Sequence, residues 1–190
     1  MTKLLVYQGG ASGQFLSFML DPTYDWIERN NEYFGKVDGR DYIYDRDKEV
    51  SIERCKKICT MHEWEWYEDY EYLKQYQSIG IKVNSSKTNS FVVLLGALKT
   101  LLNNNFNYHY RGDRIMSLIH GVANPKEIAQ EDIKHTDISL EYDDIFILRN
   151  PVTLQLLIDF FESDISLADL TSSIKAYHEK NLELVAEHGL

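Results

Sequence analysis

The first twenty residues constrain the fold of this chain more than any other segment. An apolar run at residues 4–7 ends in Gln8-Gly9-Gly10, and Ala11-Ser12-Gly13 then leads into a second apolar stretch at residues 15–20. This order predicts a strand, a tight turn and a helix. A strand that leads into a helix is typical of α/β proteins, in which helices cover the faces of a sheet.

The rest of the chain repeats this alternation. Further strands are predicted at residues 56–61, 79–83 and 138–148, and helices at residues 63–72, 89–102 and 166–187, with one more opened by Pro151. Residues 21–50 are expected to be irregular or to form a small hairpin, and residues 106–136 to be loop-like with a short helix near 114–119. We therefore expect an α/β fold, a mostly parallel sheet flanked by helices, in a single domain of residues 1–190.

Three of these helices have informative apolar patterns. The helix at 89–102 is apolar on nearly all sides, which predicts a central, buried position. Proline is accepted in the first turn of a helix, so Pro151 can begin one. The inner stripe of that helix is expected to be Leu154, Leu157, Ile158 and Phe161. That of the last helix is expected to be Leu167, Leu170, Ile174, Tyr177, Asn181, Leu182 and Val185, with Gly189 as its cap.

The composition indicates a packed globule with an acidic surface. Among 190 residues, 30 are acidic and 20 basic, for a formal net charge of −10, and 44% are hydrophobic. Such a charge disfavours broad binding to nucleic acid or to an anionic membrane, because both would be repelled. No stretch approaches the roughly 18 apolar residues of a spanning helix, and the first residues do not resemble a signal peptide. We expect a cytoplasmic protein without nucleic-acid or membrane partners.

The two cysteines, Cys55 and Cys59, lie four positions apart without a second pair. A structural zinc site needs two further ligands at matching spacing, and none lies close by. We expect reduced, partly buried thiols and no metal.

The turn at residues 8–14 is the strongest candidate for a binding site. Glycines between a strand and a helix let the backbone approach an anion, which the first helix amides and the helix dipole then hold. No lysine follows Gly13 and no Gly-Lys-Ser/Thr triplet exists, so ATP hydrolysis by a Walker apparatus is not expected. The same glycines also suit a plain strand-to-helix turn, and both interpretations stay open.

Several segments resemble, in the same order, the sulfotransferase family. Residues 7–16 resemble its degenerate P-loop, and Ile58-Cys59-Thr60-Met61-His62 is similar to its strand that ends in histidine. Residues 138–146 are similar to its late Tyr-Glu-Asp-Leu strand, followed by a helix that here contains Thr153-Leu154 and Phe160-Phe161. Residues 177–182 resemble the closing helix of short sulfotransferase-like proteins of marine bacteria and their phages.

This resemblance implies a P-loop-type topology, the donor PAPS and a set of site residues. The turn that would grip the phosphosulfate of PAPS comprises Gly9, Gly10, Ala11, Ser12, Gly13, Gln14 and Phe15. The 3′-phosphate would lie near Ser85 and Lys87, with Lys82, Ser86, Arg111 and Arg114 as alternatives. His62 would be the base that deprotonates a hydroxyl or amine acceptor. Without the resemblance, a histidine at a strand end is more often a hydrogen-bonded structural residue than a catalytic base.

The chain also departs from the family pattern. Active members carry a lysine or arginine in the turn, where this chain has Ala11 and Gln14. Arg149-Asn150-Pro151 imitates the family's 3′-phosphate signature, but the serine position falls on Leu157. Two hypotheses follow: a PAPS-dependent sulfotransferase with a small-molecule or sugar acceptor, or a catalytically inactive binding or structural protein, such as one in a phage particle. A nucleotide kinase is disfavoured because the P-loop lysine is missing.

The segment after His62 combines five carboxylates with five aromatic rings in residues 63–72. Its rings are expected to pack on the core while the carboxylates face water. The alternative is a recognition surface over residues 63–77 for a sugar, a protein partner or a second copy of the chain. The carboxylates favour a neutral or cationic acceptor over a polyanionic one, which they would repel.

Overall fold

The computed structural model describes residues 2–8, 11–21, 26–28, 35–37, 57–83, 91–92, 95, 133 and 135–187. They contain a sheet of four parallel strands: β1 (Lys3–Tyr7), β4 (Ile58–His62), β5 (Ser78–Lys82) and β6 (Ile138–Glu141). A separate antiparallel pair, β2 (Trp26–Glu28) and β3 (Gly35–Val37), lies between β1 and β4 in the chain. The α/β class with a parallel sheet is confirmed, as is a small hairpin within residues 21–50.

The four-stranded sheet has the order β4-β1-β5-β6. Each neighbouring pair is parallel, so all four carboxyl ends lie at one edge. In this register Tyr7, the last residue of β1, is paired with His62 on one side and with Ile81 on the other. The residues that follow β1 therefore begin in the middle of this edge.

In the described part of the chain, five α-helices with defined ends pack around the sheet: α1 (Gly13–Leu20), α2 (Glu63–Glu68), α3 (Tyr70–Leu73), α4 (Pro151–Phe161) and α5 (Leu167–Glu187). Pro151 occupies the first turn of α4, and the side chain of Asn150 caps that helix by accepting a hydrogen bond from the Val152 amide at 3.0 Å. The predicted helix at 63–72 is divided into α2 and α3 at Asp69. No helix in the described part of the chain combines the length and apolarity that crossing a membrane requires.

Both faces of the sheet are buried, as expected where parallel strands are covered by helices. On the first face, Leu5 and Tyr7 of β1 pack in one cluster with α1, α4 and α5. On the second face, Leu4 and Val6 pack with Trp66 of α2 and with Leu73 of α3. Alternate side chains of β1 are thus buried in two different cores, because successive residues of a strand point to opposite faces.

The predicted strand at 138–148 is only partly right. It ends at Glu141, and Asp143–Ile147 forms a single π-helical turn, here called the π-turn. The Leu148 amide donates to the Asp143 carbonyl five residues earlier, at 2.8 Å. Tyr142, Ile145 and Phe146 are all buried in the first-face core. In a strand, Ile145 would point to the face opposite Tyr142 and Phe146. Because all three side chains are buried in the same core, the segment forms a helical turn instead.

The inner stripe predicted for α4 is confirmed in full. In α5, Leu170, Ile174, Asn181 and Val185 are buried as predicted, but Leu182 is 48% exposed and Leu184 is buried in its place. Cys59 is a buried free thiol. Of the predicted helix 89–102, only Phe91, Val92 and Leu95 are described, and they are helical. Cys55, Gly189 and the helix near 114–119 lie outside the described residues.

Candidate functional site

The strand order β4-β1-β5-β6 reverses at β1, since the chain passes from β1 to β4 on one side and then to β5 and β6 on the other. The helix after β1 packs on the first face, whereas the helices after β4 pack on the second. Where the strand order reverses, here between β1 and β5, the connections leave the sheet in different directions and form a crevice at the carboxyl edge. Ligands of open α/β sheets bind at such points. The topology therefore places a candidate site at the end of β1, the start of α1 and the end of β5.

At the start of α1, the N-cap residue Ser12 does not cap the helix with its side chain. The Ala11 amide donates to the Gln8 carbonyl at 2.9 Å, and Ser12 follows in the left-handed conformation, with φ 62° and ψ 27°. Ser12 occupies the N-cap position of α1, yet its hydroxyl makes no capping hydrogen bond, and the first turn of α1 has no acidic residue. Neither of the usual protein groups thus offsets the positive end of the helix dipole.

Gly13 is required because the Tyr7 ring lies where its side chain would be. A Cβ at position 13 would overlap the Cδ1, Cε1 and Cγ atoms of Tyr7. Tyr7 is buried in the first-face core. The glycine therefore allows the strand end and the helix start to pack closely. This contact supports the plain-turn interpretation for Gly13 and does not concern the amides of its neighbours.

Two tyrosines direct their hydroxyl groups to Ser12. The Tyr177 hydroxyl of α5 donates to Ser12 Oγ at 3.2 Å, although 165 residues separate them. The Tyr142 side chain precedes the π-turn and is only 1% exposed. Burial raises the pKa of the Tyr142 phenol above its ordinary 10.0, Tyr177 and Asp143 raise it further, and the nearby Ser12 hydroxyl lowers it. Tyr142 is therefore a neutral O–H donor across the physiological pH range.

An aromatic wall supports these hydroxyl groups. The rings of Phe15 and Tyr177 stack with centroids 3.7 Å apart and an interplanar angle of 8°. Tyr142 stacks on Phe146 at 4.6 Å, and Phe146 lies 6.4 Å from Tyr177. Each such pair contributes about 0.5–1.5 kcal/mol beyond the area that it buries. The packing thus holds α1, the π-turn and α5 together around Ser12.

Two further polar side chains of α5, His178 and Asn181, lie near Tyr177 in the sequence. His178 Nδ1 and Asn181 Nδ2 are buried and make no hydrogen bond among the described residues. The ring of Phe91 meets that of His178 edge-on at 5.7 Å. Burial lowers the pKa of His178 below 6.5, the charge of Arg149 lowers it further, and Glu179 acts in the opposite direction. Arg149 thus brings a cationic side chain to the first face of the sheet.

Because the pKa of His178 is lowered, we expect the stability of the fold to decrease in acid. Between its folded pKa and 6.5, the unfolded chain binds a proton at this position that the folded chain does not bind. Stability is therefore lost as the pH falls from about 6.5 through the folded pKa. We expect the melting temperature of His178→Gln to fall less than that of the wild type between pH 7 and pH 5. Parallel slopes for the two proteins in thermal melts would contradict this expectation.

The structure describes part of the predicted site. It places Ala11, Ser12, Gly13, Gln14 and Phe15 at the carboxyl edge, between the end of β1 and the first turn of α1. Gly9, Gly10, Ser85, Ser86, Lys87, Arg111 and Arg114 lie outside the described residues. His62 is the last residue of β4, beside the end of β1, and its side chain is outside the described part. Lys82 ends β5 and is partly buried.

Sequence reasoning missed the proximity of Tyr142 to Ser12. The predicted strand at 138–148 includes Tyr142, and no spacing rule connects it to Ser12. Tyr177 was assigned to the inner stripe of the last helix as a core residue, which it is in part. The available signal was the interruption of the strand pattern by Asp143-Asp144, which marks Tyr142 as the carboxyl end of the strand, where polar side chains of an α/β sheet meet ligands.

The described residues include no group of three His, Cys, Asp or Glu side chains that could hold a metal ion. The donors at the carboxyl edge are instead hydroxyl groups and the start of a helix, which suit an anion. The chain matches no family model, no curated protein and no solved structure.

Proposed function

We propose that this chain binds the phosphosulfate end of PAPS over the start of α1 and transfers the sulfuryl group to a hydroxyl or amine acceptor. One observation carries the binding step. The N-cap hydroxyl of α1 is engaged by Tyr177 rather than by the helix amides, and no acidic side chain occupies the first turn. The positive end of a helix at the carboxyl edge of a parallel sheet attracts a phosphate or sulfate group.

The reaction requires little covalent chemistry from the protein. The sulfur–oxygen bond to the nucleotide breaks, a bond from sulfur to the acceptor forms, and the acceptor proton passes to a base. His62, which ends the strand next to β1, is the proposed base. The nucleotide leaves as the anion PAP, so donors near α1 that favour its charge lower the barrier. A lysine or arginine would stabilise the bridging oxygen as charge develops on it.

Gln14→Glu tests the binding step. Gln14 is the second residue of α1, and its side chain is partly exposed. A carboxylate there repels an anionic ligand by about 2 kcal/mol at a separation near 8 Å, while it favours the helix dipole. We expect the wild type to bind PAP with micromolar affinity in isothermal titration, and Gln14→Glu to bind at least tenfold more weakly with an unchanged or higher melting temperature.

The matched control is Gln77→Glu, which makes the same change of net charge at the opposite, amino edge of the sheet, in the exposed residue before β5. It should bind PAP as the wild type does. Equal weakening by both variants would indicate a general charge effect, and no binding of PAP by the wild type at millimolar concentration would overturn the proposal.

A catalytically inactive binding protein is the second candidate. Two observations favour it: residues 8–14 contain no lysine or arginine, and the Ala11 amide is bonded to the Gln8 carbonyl. Release of PAP from PAPS in the presence of phenols, amines or simple sugars separates the two candidates. Binding of PAP without its release from PAPS supports the inactive form, whereas release that is lost in His62→Ala supports the enzyme.

A further inference from the structure

The outer side of α4 and the residues that lead into it expose a group of apolar side chains. In the described part of the chain, five large hydrophobic side chains are exposed, and four of them lie close together in the sequence: Ile147, Leu148, Val152 and Leu156, here called the α4 patch. Leu148 is 67% exposed and Val152 is 76% exposed. Single exposed hydrophobic side chains are common, whereas a contiguous group marks a surface that contacts a partner.

The spacing of the α4 patch suits contact with another helix. Val152 and Leu156 lie four positions apart on α4, so their side chains are one turn apart on the same side of the helix. The inner stripe of α4 is buried in the first-face core and does not include them. Rows of side chains four positions apart form the ridges by which helices pack together. The core thus leaves this second side of α4 available for packing from outside.

Carboxylates border the α4 patch at both ends. Asp143 and Asp144 precede it in the π-turn and are partly exposed, and Asp159 follows Leu156 by three positions and is exposed. The only basic residue between Asp143 and Asp159 is Arg149. Its guanidinium donates to the Phe146 carbonyl of the π-turn at 3.3 Å, and the side chain is only partly exposed. The margin of the patch is therefore acidic.

This charge distribution selects among possible partners. A second copy of the chain would bring the same carboxylates to the contact, together with a formal net charge of −10. Like charges placed across an interface oppose binding, and a surface with basic groups beside its apolar ones is complementary to this margin.

We propose that the α4 patch binds an amphipathic helix of a partner protein, in which lysine or arginine side chains border the apolar face. Recognition of this kind places apolar side chains of the partner at helical spacing against the exposed row of α4. The basic side chains then meet Asp143, Asp144 and Asp159, so that charge sets the choice of partner and apolar contact holds it. The inference is independent of the proposed binding of PAP.

A pair of synthetic helical peptides of about 18 residues tests the proposal. Both carry leucines along one face, bordered by lysines in one peptide and by glutamates in the other. By fluorescence anisotropy, the wild type should bind the lysine peptide at least about tenfold more tightly than the glutamate peptide. The double variant Leu148→Ser with Val152→Ser should weaken binding of the lysine peptide about tenfold or more.

The melting temperature of the double variant should be unchanged, because both side chains are largely exposed. Val152→Ser alone, at the most exposed position, should show a smaller loss of binding in the same direction. Leu182→Ser is the control, since Leu182 is an exposed hydrophobic residue of α5 outside the α4 patch. It should bind the lysine peptide as the wild type does.

Four results would overturn the proposal. The first is that the wild type binds neither peptide at millimolar concentration, and the second is that it binds both equally. The third is equal binding of the lysine peptide by the wild type and the double variant, which would show a general charge effect. The fourth is another occupant: a wild-type dimer in sedimentation that the double variant dissociates, or binding to phosphatidylcholine vesicles that the double variant loses.

Discussion

Gly13→Ala should destabilise the protein by about 2–3 kcal/mol, although alanine normally stabilises a helix relative to glycine by up to about 1 kcal/mol. The new methyl group would overlap the buried Tyr7 ring. The ring ends a central strand and is enclosed by the first-face core, so it has little room to move. Urea unfolding followed by circular dichroism measures the loss as a lower midpoint.

A double variant identifies the cause. Tyr7→Ala removes the Cγ, Cδ1 and Cε1 atoms that the methyl group would meet, so the loss in Gly13→Ala should be smaller in that background, with a coupling energy of about 1–3 kcal/mol. A Gly13→Ala protein as stable as the wild type would mean that Tyr7 does not pack against the start of α1. Because position 13 controls folding, a bulky residue there does not report on ligand binding separately.

Trp66→Ala should cost about 3–5 kcal/mol, the range typical of a large aromatic residue removed from a core. Trp66 is fully buried on the second face, where it packs with Leu4, Val6 and Met61. Tyr72→Ala is the control, since Tyr72 is only partly buried at the margin of the same cluster. Chemical unfolding should show a clearly smaller loss for Tyr72→Ala.

The same experiment separates the two interpretations of the acidic aromatic segment. If the Trp66 side chain belonged to a recognition surface, its removal would leave stability almost unchanged and would affect only binding. Among the described rings of this segment, Trp66 is buried and Tyr67, Tyr70 and Tyr72 pack partly against it or its cluster. Core packing is therefore confirmed for these rings, and a partner at residues 63–77 remains a prediction.

Local sequence patterns predicted the elements whose burial follows a regular period. The α4 stripe repeats at helical spacing and was right at every position, because a helix on a sheet must bury one continuous face. The π-turn was not predicted. The segment Ile138-Ser139-Leu140-Glu141 begins with strand-like alternation, and only the packing of Tyr142, Ile145 and Phe146 together shows that the strand ends.

Some residues of the candidate site could likewise be found from the sequence, and others could not. The glycine turn and Ser12 were found from sequence, since a turn between a strand and a helix needs particular backbone conformations that few residues adopt. The partners of Ser12 were not found. Tyr177 lies 165 residues away, and no pattern within one segment records which distant side chain will reach it.

The sequence by itself determined that β1 leads through a tight turn into α1, and that helices alternate with parallel strands. Those features depend on short-range periodicity and turn chemistry, which are written in neighbouring residues. Only the tertiary structure decided that the Tyr142 and Tyr177 hydroxyl groups meet at Ser12, and that the Tyr7 ring requires a glycine at position 13. Such contacts depend on how separate elements pack, and packing is a property of the whole core.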